Sequence, residues 1–429
     1  MALRAAATLV GLAGLLCAPA LLASPQEVLG FGHRSMGMGT TGAAVGEGVD
    51  TVYANPALLS ASHDLALQLG LVGAAFDLRA AGVGGPASIS YPPLRANTIG
   101  GLLPLPLGGL LADRVTLGLG FLTPFDVIVR GRILYPERPQ FLVADRVQSV
   151  AVQAALGADL GYGVRVGGGF MALAALSGSV LVATDASGRV GTRVEDTLVA
   201  SYAPIVGASY ELGRGYRVGL VFRGELVARF NVVIVAEDLG QITIPPLNIS
   251  GVAQYDPWQI GIEAARVAGP WRLAVGATYE SWGAYPGPLE ATVRCQDAAE
   301  PDTPCSAPVP PDPGYHDTVS PRLGLERRLA LAPAASLRLR AGYALEPSPA
   351  PPQGGAHNYF DCTRSVLTLG WGAALGRPPA PLELDGFAQA HVLHPRTHEK
   401  RVASGAPTDG EVVSSGFVFA GGAAATVRF

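Results

Sequence analysis

Charged side chains are scarce in this chain of 429 residues, since Asp, Glu, Lys and Arg make up only 15% of it, against about 25% in an ordinary globular protein. Lys400 is the only lysine, and the formal net charge is −4. The sequence therefore lacks the basic footprint of a nucleic-acid-binding surface, and no nucleic-acid partner is expected. The hydrophobic content of 49% excludes a disordered chain, and the 56 glycines and 35 prolines argue against a helical bundle.

Recognisable catalytic and metal-binding patterns are also missing. No CxxC pair or combined His/Cys pattern indicates a zinc site. His391, His394 and His398 could approach one another, but Pro395 and Arg396 intervene, and a solvated rim is the preferred interpretation, so no metal is expected. Gly-x-Gly repeats lie in predicted strands rather than before helices, which excludes a dinucleotide loop and leaves no cofactor expected. Nothing resembles a Ser-His-Asp site, so the chain is not expected to be an enzyme.

Cysteine is rare, with four residues in the whole chain. Cys295 and Cys305 bracket a Pro-rich stretch, and an oxidising compartment permits a disulfide between them. We therefore predict a Cys295–Cys305 bridge and a free Cys362. A bridge from Cys362 to either partner remains the alternative.

Long apolar runs are almost absent. The N-terminus has a positive charge at Arg4 and an apolar run to Leu22 that ends in small residues, which predicts a signal peptide at 1–23 and an exported chain. A membrane-spanning helix needs about 20 apolar residues. In the mature chain only Val166–Thr184 approaches this, and four glycines and two serines interrupt it. If the mature chain spans a membrane, a closed barrel is the remaining option.

Alternation with a period of two residues recurs along the mature chain. Tyr216 and Leu226, for example, share one predicted strand face, while Arg217 and Arg223 share the other. A lipid-facing apolar side and a lumen-facing polar side are typical of a transmembrane β-strand. A soluble sandwich also alternates, so it is the repetition that favours a barrel.

Fourteen segments carry this pattern, an even number as in bacterial single-chain barrels. Their connections alternate between short and long, which is typical of periplasmic turns and outer loops. The last strand ends in Phe429, and a terminal aromatic residue is typical of outer-membrane barrels. The predicted strands span 65–75, 96–104, 114–122, 147–160, 163–175, 198–211, 216–228, 256–266, 271–282, 317–328, 336–345, 363–375, 382–393 and 416–429.

Residues 24–63 precede the predicted barrel domain, 64–429, and are Gly-rich without alternation. Irregular backbone is tolerated inside a barrel where it lines a cavity. A periplasmic tail is the alternative interpretation.

The sequence also resembles a known family. The stretch Gly32–Leu59 resembles the N-terminal hatch of the FadL/TodX outer-membrane transporters, which carry long-chain fatty acids and other hydrophobic compounds. Segments 217–223, 279–282, 339–344 and 348–351 resemble later parts of the same family, in the same order. The resemblance implies an all-β, 14-stranded antiparallel transmembrane barrel in the bacterial outer membrane, with the hatch inside its lumen. The candidate hatch residues are Arg34, Met36, Met38, Tyr53, Asn55, Pro56 and Ala57.

The expected function is passive transport of hydrophobic small molecules, such as fatty acids or hydrocarbons, by a monomer surrounded by outer-membrane lipid. The alternative is a barrel of the same shape that binds proteins as part of a secretion or envelope machine. An uptake assay with a labelled substrate would separate the two.

Arginines on the predicted inward face are the candidate lumen charges. The first interpretation is an ion-pair network that braces the wall and anchors the hatch, since the planar guanidinium makes bidentate contacts. The functional interpretation is that one arginine without a carboxylate partner, among Arg223, Arg272 and Arg338, receives an anionic head group while Met36 and Met38 hold the tail. The candidates are Arg217, Arg223, Arg272, Arg338 and Arg340.

Overall fold

The computed structural model describes the chain in eleven ranges. The predicted signal peptide, 1–23, and the predicted disulfide between Cys295 and Cys305 lie outside them. None of the helices within the ranges combines the length and the hydropathy needed to cross a membrane. The described residues are 25–82, 85–125, 139–146, 150–184, 190–237, 247–287, 289–293, 312–355, 357–376, 382–401 and 407–429.

The described part of the chain forms an 18-stranded sheet in which 14 strands close into a barrel. The barrel strands are β1 (Ala66–Gly82), β2 (Leu94–Pro104), β3 (Val115–Pro124), β4 (Ala151–Gly161), β5 (Val164–Thr184), β6 (Val190–Gly213), β7 (Tyr216–Arg223), β8 (Gln259–Ala268), β9 (Trp271–Glu280), β10 (Thr318–Ala332), β11 (Ala335–Glu346), β12 (Arg364–Leu375), β13 (Leu382–Arg401) and β14 (Pro407–Arg428).

Each of the 14 barrel strands pairs antiparallel with the next barrel strand along the chain. The last strand closes the sheet on the first, from Ala66 opposite Arg428 to Ala81 opposite Val413. Closure removes the free sheet edges, so the backbone groups of these strands are satisfied without water. The predicted 14-stranded antiparallel barrel is confirmed.

Strand lengths and one strand assignment differ from the prediction. The β5–β6 hairpin continues to Thr184 and Val190, because ladder hydrogen bonds persist where the apolar alternation fades. The predicted strand 216–228 is wrong as a single element. β7 ends at Arg223, and the Gly224 amide donates to Pro204 O at 2.8 Å. The chain turns there, so Leu226, predicted on the outward face, is only 1% exposed.

The segment predicted as a long loop after this turn contains a further hairpin. Strand Leu226–Glu237 pairs antiparallel with strand Leu247–Asp256 and runs parallel to the extended end of β5. Two short strands add to the sheet: Gly85–Ile89 beside β1, and Leu289–Val293 beside Leu247–Asp256. Gln140–Phe141 and Tyr359–Phe360 form a separate parallel pair, with the helix Leu142–Asp145 next to it.

The barrel wall has an apolar outward face. On β1, Leu67, Leu69 and Leu71 are 46%, 55% and 59% exposed. Their neighbours in the alternation, such as Gln68 and Val72, are buried. A soluble protein rarely exposes contiguous apolar surface on this scale, and a band of this kind is what a barrel presents to the bilayer interior.

Residues 25–62, which we call the N-terminal segment, contain only short helical turns. They are Pro25–Leu29, His33–Met36, Gly48–Asp50, Thr51–Ala54 and Pro56–Ala61. Most of the segment is buried, and its partners are inward-facing residues of strands spread around the barrel.

Candidate functional site

Glycines of the barrel wall make room for the N-terminal segment. A Cβ atom added at Gly207 would overlap the Asn55 carboxamide, and one added at Gly219 would overlap the Ala43 carbonyl. Because such positions occur on many strands, the wall is shaped to the backbone of the segment. The wall glycines in contact with the segment include Gly70, Gly100, Gly118, Gly120, Gly157, Gly167, Gly207, Gly219, Gly324, Gly342 and Gly370.

Glu263 on β8 holds the middle of the segment by its backbone. Its carboxylate accepts hydrogen bonds from the amides of Gly42, Ala43 and Ala44 at 2.8, 3.2 and 2.9 Å. The side chain is buried, so these three donors replace the water that a carboxylate would otherwise require. Sequence reasoning missed this residue. Its only sequence signal is an acidic residue at an inward position of an alternating strand.

Amide and hydroxyl side chains of β12 and β13 hold the earlier turns of the segment. Gln389 Nε2 donates to the carbonyls of Leu29 and Met36, both at 2.9 Å. The Gly39 amide donates to Thr368 Oγ1 at 2.8 Å. The backbone of residues 29–39 is therefore fixed to strands four and five positions away from β8, the strand that carries Glu263.

Asn55, Pro56 and Ala57, singled out from the sequence, form a capped turn against β6. Asn55 Nδ2 donates to Ala43 O at 2.7 Å and to Ala208 O of the wall at 3.0 Å. Its Oδ1 accepts from the Ala57 amide at 3.1 Å. Asn55 is thus the N-cap of the turn Pro56–Ala61, and proline suits the first position because it has no amide hydrogen to satisfy.

A buried charge cluster joins the segment to β9, β10 and β11. Glu326 pairs with Arg34 at 3.0 Å, with Arg340 at 2.7 Å and with Arg272 at 3.0 Å. Arg34 also donates to Val45 O at 2.7 Å. Burial opposes the charge on Arg34, but the carboxylates around it, Glu326 first and then Glu47 and Asp50, together raise the pKa of Arg34 above its ordinary value.

Glu47 extends this cluster towards the barrel end that carries the short turns. Its carboxylate lies 2.5 Å from Arg272 Nη1 and 3.7 Å from Arg338 Nη1. Arg338 also pairs with Glu383 at 3.3 Å, and Glu383 with Arg428 at 3.0 Å. Arg272 and Arg338, two of the three head-group candidates, therefore have carboxylate partners.

Arg223, the third candidate, is held differently. It is 7% exposed, and it donates to Gln259 Oε1 at 3.2 Å and to Tyr53 O at 2.9 Å. Its guanidinium carbon lies 4.1 Å from the centre of the Tyr53 ring, and its Nε atom is buried without a partner. Within the described ranges, Arg223 makes no ion pair with a carboxylate.

A cavity of about 40 Å³ borders Arg223 between the segment and the wall. This volume accommodates a few water molecules, far less than a fatty acid or a hydrocarbon ring requires. The lining is largely polar and also includes Glu27, Gln259, Glu263 and Arg322.

Glu27 connects this cavity to an aromatic cluster near the helix Leu142–Asp145. Its carboxylate accepts hydrogen bonds from Tyr53 and Gln259 and lies 4.0 Å from Arg146. Arg146 pairs with Asp256 at 3.2 Å and stacks over Trp282, with 4.8 Å between the guanidinium carbon and the ring centre. Burial raises the pKa of the Tyr53 hydroxyl well above its ordinary value, so it remains a donor. The cluster comprises Tyr255, Trp282, Tyr285 and Tyr315.

The other residues chosen from the sequence lie apart from this cavity. Met36 and Met38 are each 1% exposed and belong to two different apolar clusters. Arg217 lies 3.7 Å from Glu211 near a short turn. Cys362 is free and buried, and burial raises the pKa of its thiol to about 11.

The three histidines considered for a metal contact different groups, and the expected solvated rim is wrong for His391 and His398, which are fully buried. His391 Nε2 lies 3.1 Å from Gln389 Oε1, and His394 Nε2 lies 3.0 Å from Ser365 Oγ. His398 accepts from the Gln353 amide at 3.0 Å and contacts Ser414 Oγ at 2.8 Å.

Comparison with known proteins supports the same architecture. The sequence matches no family model and no curated protein. A Pseudomonas aeruginosa FadL homologue matches over 94% of this chain and 98% of its own, with 13% identity and a TM-score of 0.59. The P. putida toluene transporter TodX matches over 94% and 99%, with 14% identity and a TM-score of 0.57. The Ralstonia pickettii toluene transporter TbuX matches over 94% and 99%, with 15% identity and a TM-score of 0.53. At these identities the likeness establishes a shared fold.

Proposed function

We propose that this chain, which has the fold of the FadL/TodX transporters, is a bacterial outer-membrane channel for hydrophobic small molecules. The observation that carries the proposal is a closed 14-stranded barrel with an apolar outward face and an interior wall fitted to the N-terminal segment. Two of the similar structures, TodX and TbuX, are toluene transporters. A path for apolar molecules across a bilayer is consistent with this arrangement.

We further propose that residues 24–63 act as a hatch in the lumen. The hydrogen bonds that Glu263 accepts, those that Gln389 and Asn55 donate, and the ion pair of Arg34 with Glu326 support this, because they tie the segment to strands on several sides of the barrel. The cavity beside the segment is too small for a substrate. Passage therefore requires the hatch to shift or the wall to open.

For the substrate we propose amphiphiles with an anionic head group, such as fatty acids, in addition to neutral hydrocarbons. The support comes from Arg223, whose buried guanidinium has a partnerless Nε atom and only uncharged hydrogen-bond acceptors. A carboxylate would supply the charged acceptor that a guanidinium prefers. Glu27 lines the same cavity, so a bound head group would have to lie closer to Arg223 than to Glu27.

An uptake assay tests both levels of this proposal. Cells without a long-chain fatty-acid channel of their own would express the full chain and receive labelled oleate or labelled toluene. We expect the wild type to accelerate uptake of both. Arg223→Gln should slow oleate uptake and leave toluene uptake unchanged, while Arg217→Gln, at an arginine outside the cavity, should change neither.

The uptake results distinguish failure of the channel, a folding defect in the variant and failure of the head-group role. No uptake of either compound by a correctly inserted wild type would overturn the channel. If the wild type takes up both compounds and Arg223→Gln loses oleate and toluene uptake equally, the variant has a folding defect. Undiminished oleate uptake in that variant would overturn the head-group role.

A further inference from the structure

Two arginine–aromatic pairs stand on the outward face of the barrel. The guanidinium carbon of Arg266 lies 5.1 Å from the centre of the Tyr216 ring. That of Arg327 lies 4.9 Å from the centre of the Trp271 ring. All four side chains are at exposed strand positions, and we call them the outward arginine patch.

The strand register makes the patch continuous. Arg266 lies opposite Tyr216 across β8 and β7, and Trp271 lies opposite Arg327 across β9 and β10. The patch therefore crosses four neighbouring strands, and the two arginines are two strands apart, about 10 Å in the direction across the sheet. It sits at the barrel end that carries the short turns, which are periplasmic in outer-membrane barrels.

The patch arginines differ from other arginines in their partners. Arg272 and Arg340 on the inward face pair with carboxylates, and the outward Arg79, on the long-loop side of β1, pairs with Asp77 at 2.6 Å. Arg266 and Arg327 form no ion pair with any residue that the structure describes. Two positive charges at the edge of an apolar band are thus left for a ligand outside the chain.

We infer that the outward arginine patch binds the phosphate of an anionic phospholipid in the periplasmic leaflet. Guanidinium groups recognise phosphate oxygens by paired hydrogen bonds, and long arginine side chains reach the head-group layer from an apolar surface. Tyrosine and tryptophan favour the same layer, where one end of the ring is apolar and the other is wet. Because neither arginine is neutralised by a carboxylate, a head group with net negative charge, such as phosphatidylglycerol, is favoured over a zwitterionic one.

This inference depends on membrane insertion but not on transport, so it can be tested on purified full-length protein. The protein in detergent would be offered equal amounts of phosphatidylglycerol and phosphatidylcholine with identical acyl chains, and retained lipid would be counted by native mass spectrometry. We expect the wild type to retain phosphatidylglycerol preferentially. Each arginine lost should reduce that preference about fivefold, so Arg266→Gln/Arg327→Gln should retain both lipids alike. Arg79→Gln is the matched control and should keep the wild-type preference.

A second measurement leaves both arginines in place. Phosphatidylglycerol with brominated acyl chains should quench the fluorescence of Trp271 more strongly than brominated phosphatidylcholine, and Trp271→Phe should remove that difference. Equal quenching by the two lipids, or equal retention of them by the wild type, would overturn the inference. So would an unchanged preference in the folded double variant. None of these results bears on whether the channel transports hydrocarbons.

Discussion

The fit between wall glycines and the N-terminal segment predicts that one methyl group can loosen the segment. Gly167 and Gly168 are adjacent on β5, and Ala at each position provides a matched pair. At Gly167 the new Cβ would overlap the carbonyl of Pro56 and the amide nitrogen of Ala57. At Gly168 its nearest neighbour would be Ile205 O at 3.7 Å, an ordinary contact.

The magnitude follows from the atoms involved. The overlapping groups at Gly167 are backbone, which cannot rotate away, so the overpacking cost is about 1–3 kcal/mol. Replacing glycine by alanine also restricts the unfolded chain and favours folding by about 0.4–1 kcal/mol. That gain applies to both variants and cancels when they are compared. Gly167→Ala should therefore destabilise docking of the segment by about 1–3 kcal/mol relative to Gly168→Ala.

Limited proteolysis of the folded barrel measures this difference. When docking is fast compared with cleavage, the rate of cutting within residues 25–62 follows the equilibrium population of the open segment. A difference of 1–3 kcal/mol corresponds to about 5- to 150-fold faster cleavage in Gly167→Ala. Equal cleavage rates in the two variants, with both barrels intact by heat-modifiable migration, would refute the proposed docking of the segment against β5.

Three other changes test the wall and the segment. Leu273→Arg on the outward face should cost about 2–4 kcal/mol of barrel stability in lipid vesicles, whereas Ala274→Ser, inward on β9, should cost little; equal tolerance would reverse the face assignment. Glu263→Gln should loosen the segment by about 1–3 kcal/mol, because an amide cannot accept all three backbone donors, and the same proteolysis assay would reveal it. Asp50 is buried in the segment and accepts a hydrogen bond from the Ser35 amide at 2.7 Å. Burial raises the pKa of Asp50 to about 6, so its contribution to docking is greatest at low pH and is lost as pH rises from about 4 to 6, by about 3 kcal/mol. As the pH rises from 4.5 to 7.5, cleavage of the segment should therefore increase less in Asp50→Asn than in the wild type. Identical pH profiles of the two proteins would contradict the raised pKa of Asp50.

The barrel could be predicted from the sequence because its signal is periodic. The alternation of apolar and polar residues can be read from a single sequence, and each of the 14 predicted segments overlaps one barrel strand. The interruption after β7 could not be found this way, since the apolar spacing from Tyr216 to Leu226 continues across Gly224 and Glu225. Only the hydrogen bond of the Gly224 amide to Pro204 O and the burial of Leu226 reveal the turn.

The sequence predicts which face of a strand a charged residue occupies more readily than it predicts which residue it pairs with. The inward positions of Arg223, Arg272 and Arg338 follow from alternation, but their partners depend on which strands and which part of the segment approach them. Glu263 illustrates the limit. Its role depends on three consecutive amides pointing the same way at residues 42–44. That is a property of backbone geometry, for which residue identity gives almost no signal.

The anchors of the N-terminal segment also constrain how the molecule is assembled. Glu263, Glu326, Thr368 and Gln389 lie on β8, β10, β12 and β13, and the Asn55 turn lies against β6. Only the β12–β13 hairpin contains two of these contacts, and each contact closes a loop of well over a hundred residues. Such distant contacts gain energy only after the intervening chain is ordered. The segment therefore has its complete set of partners only when the barrel has closed.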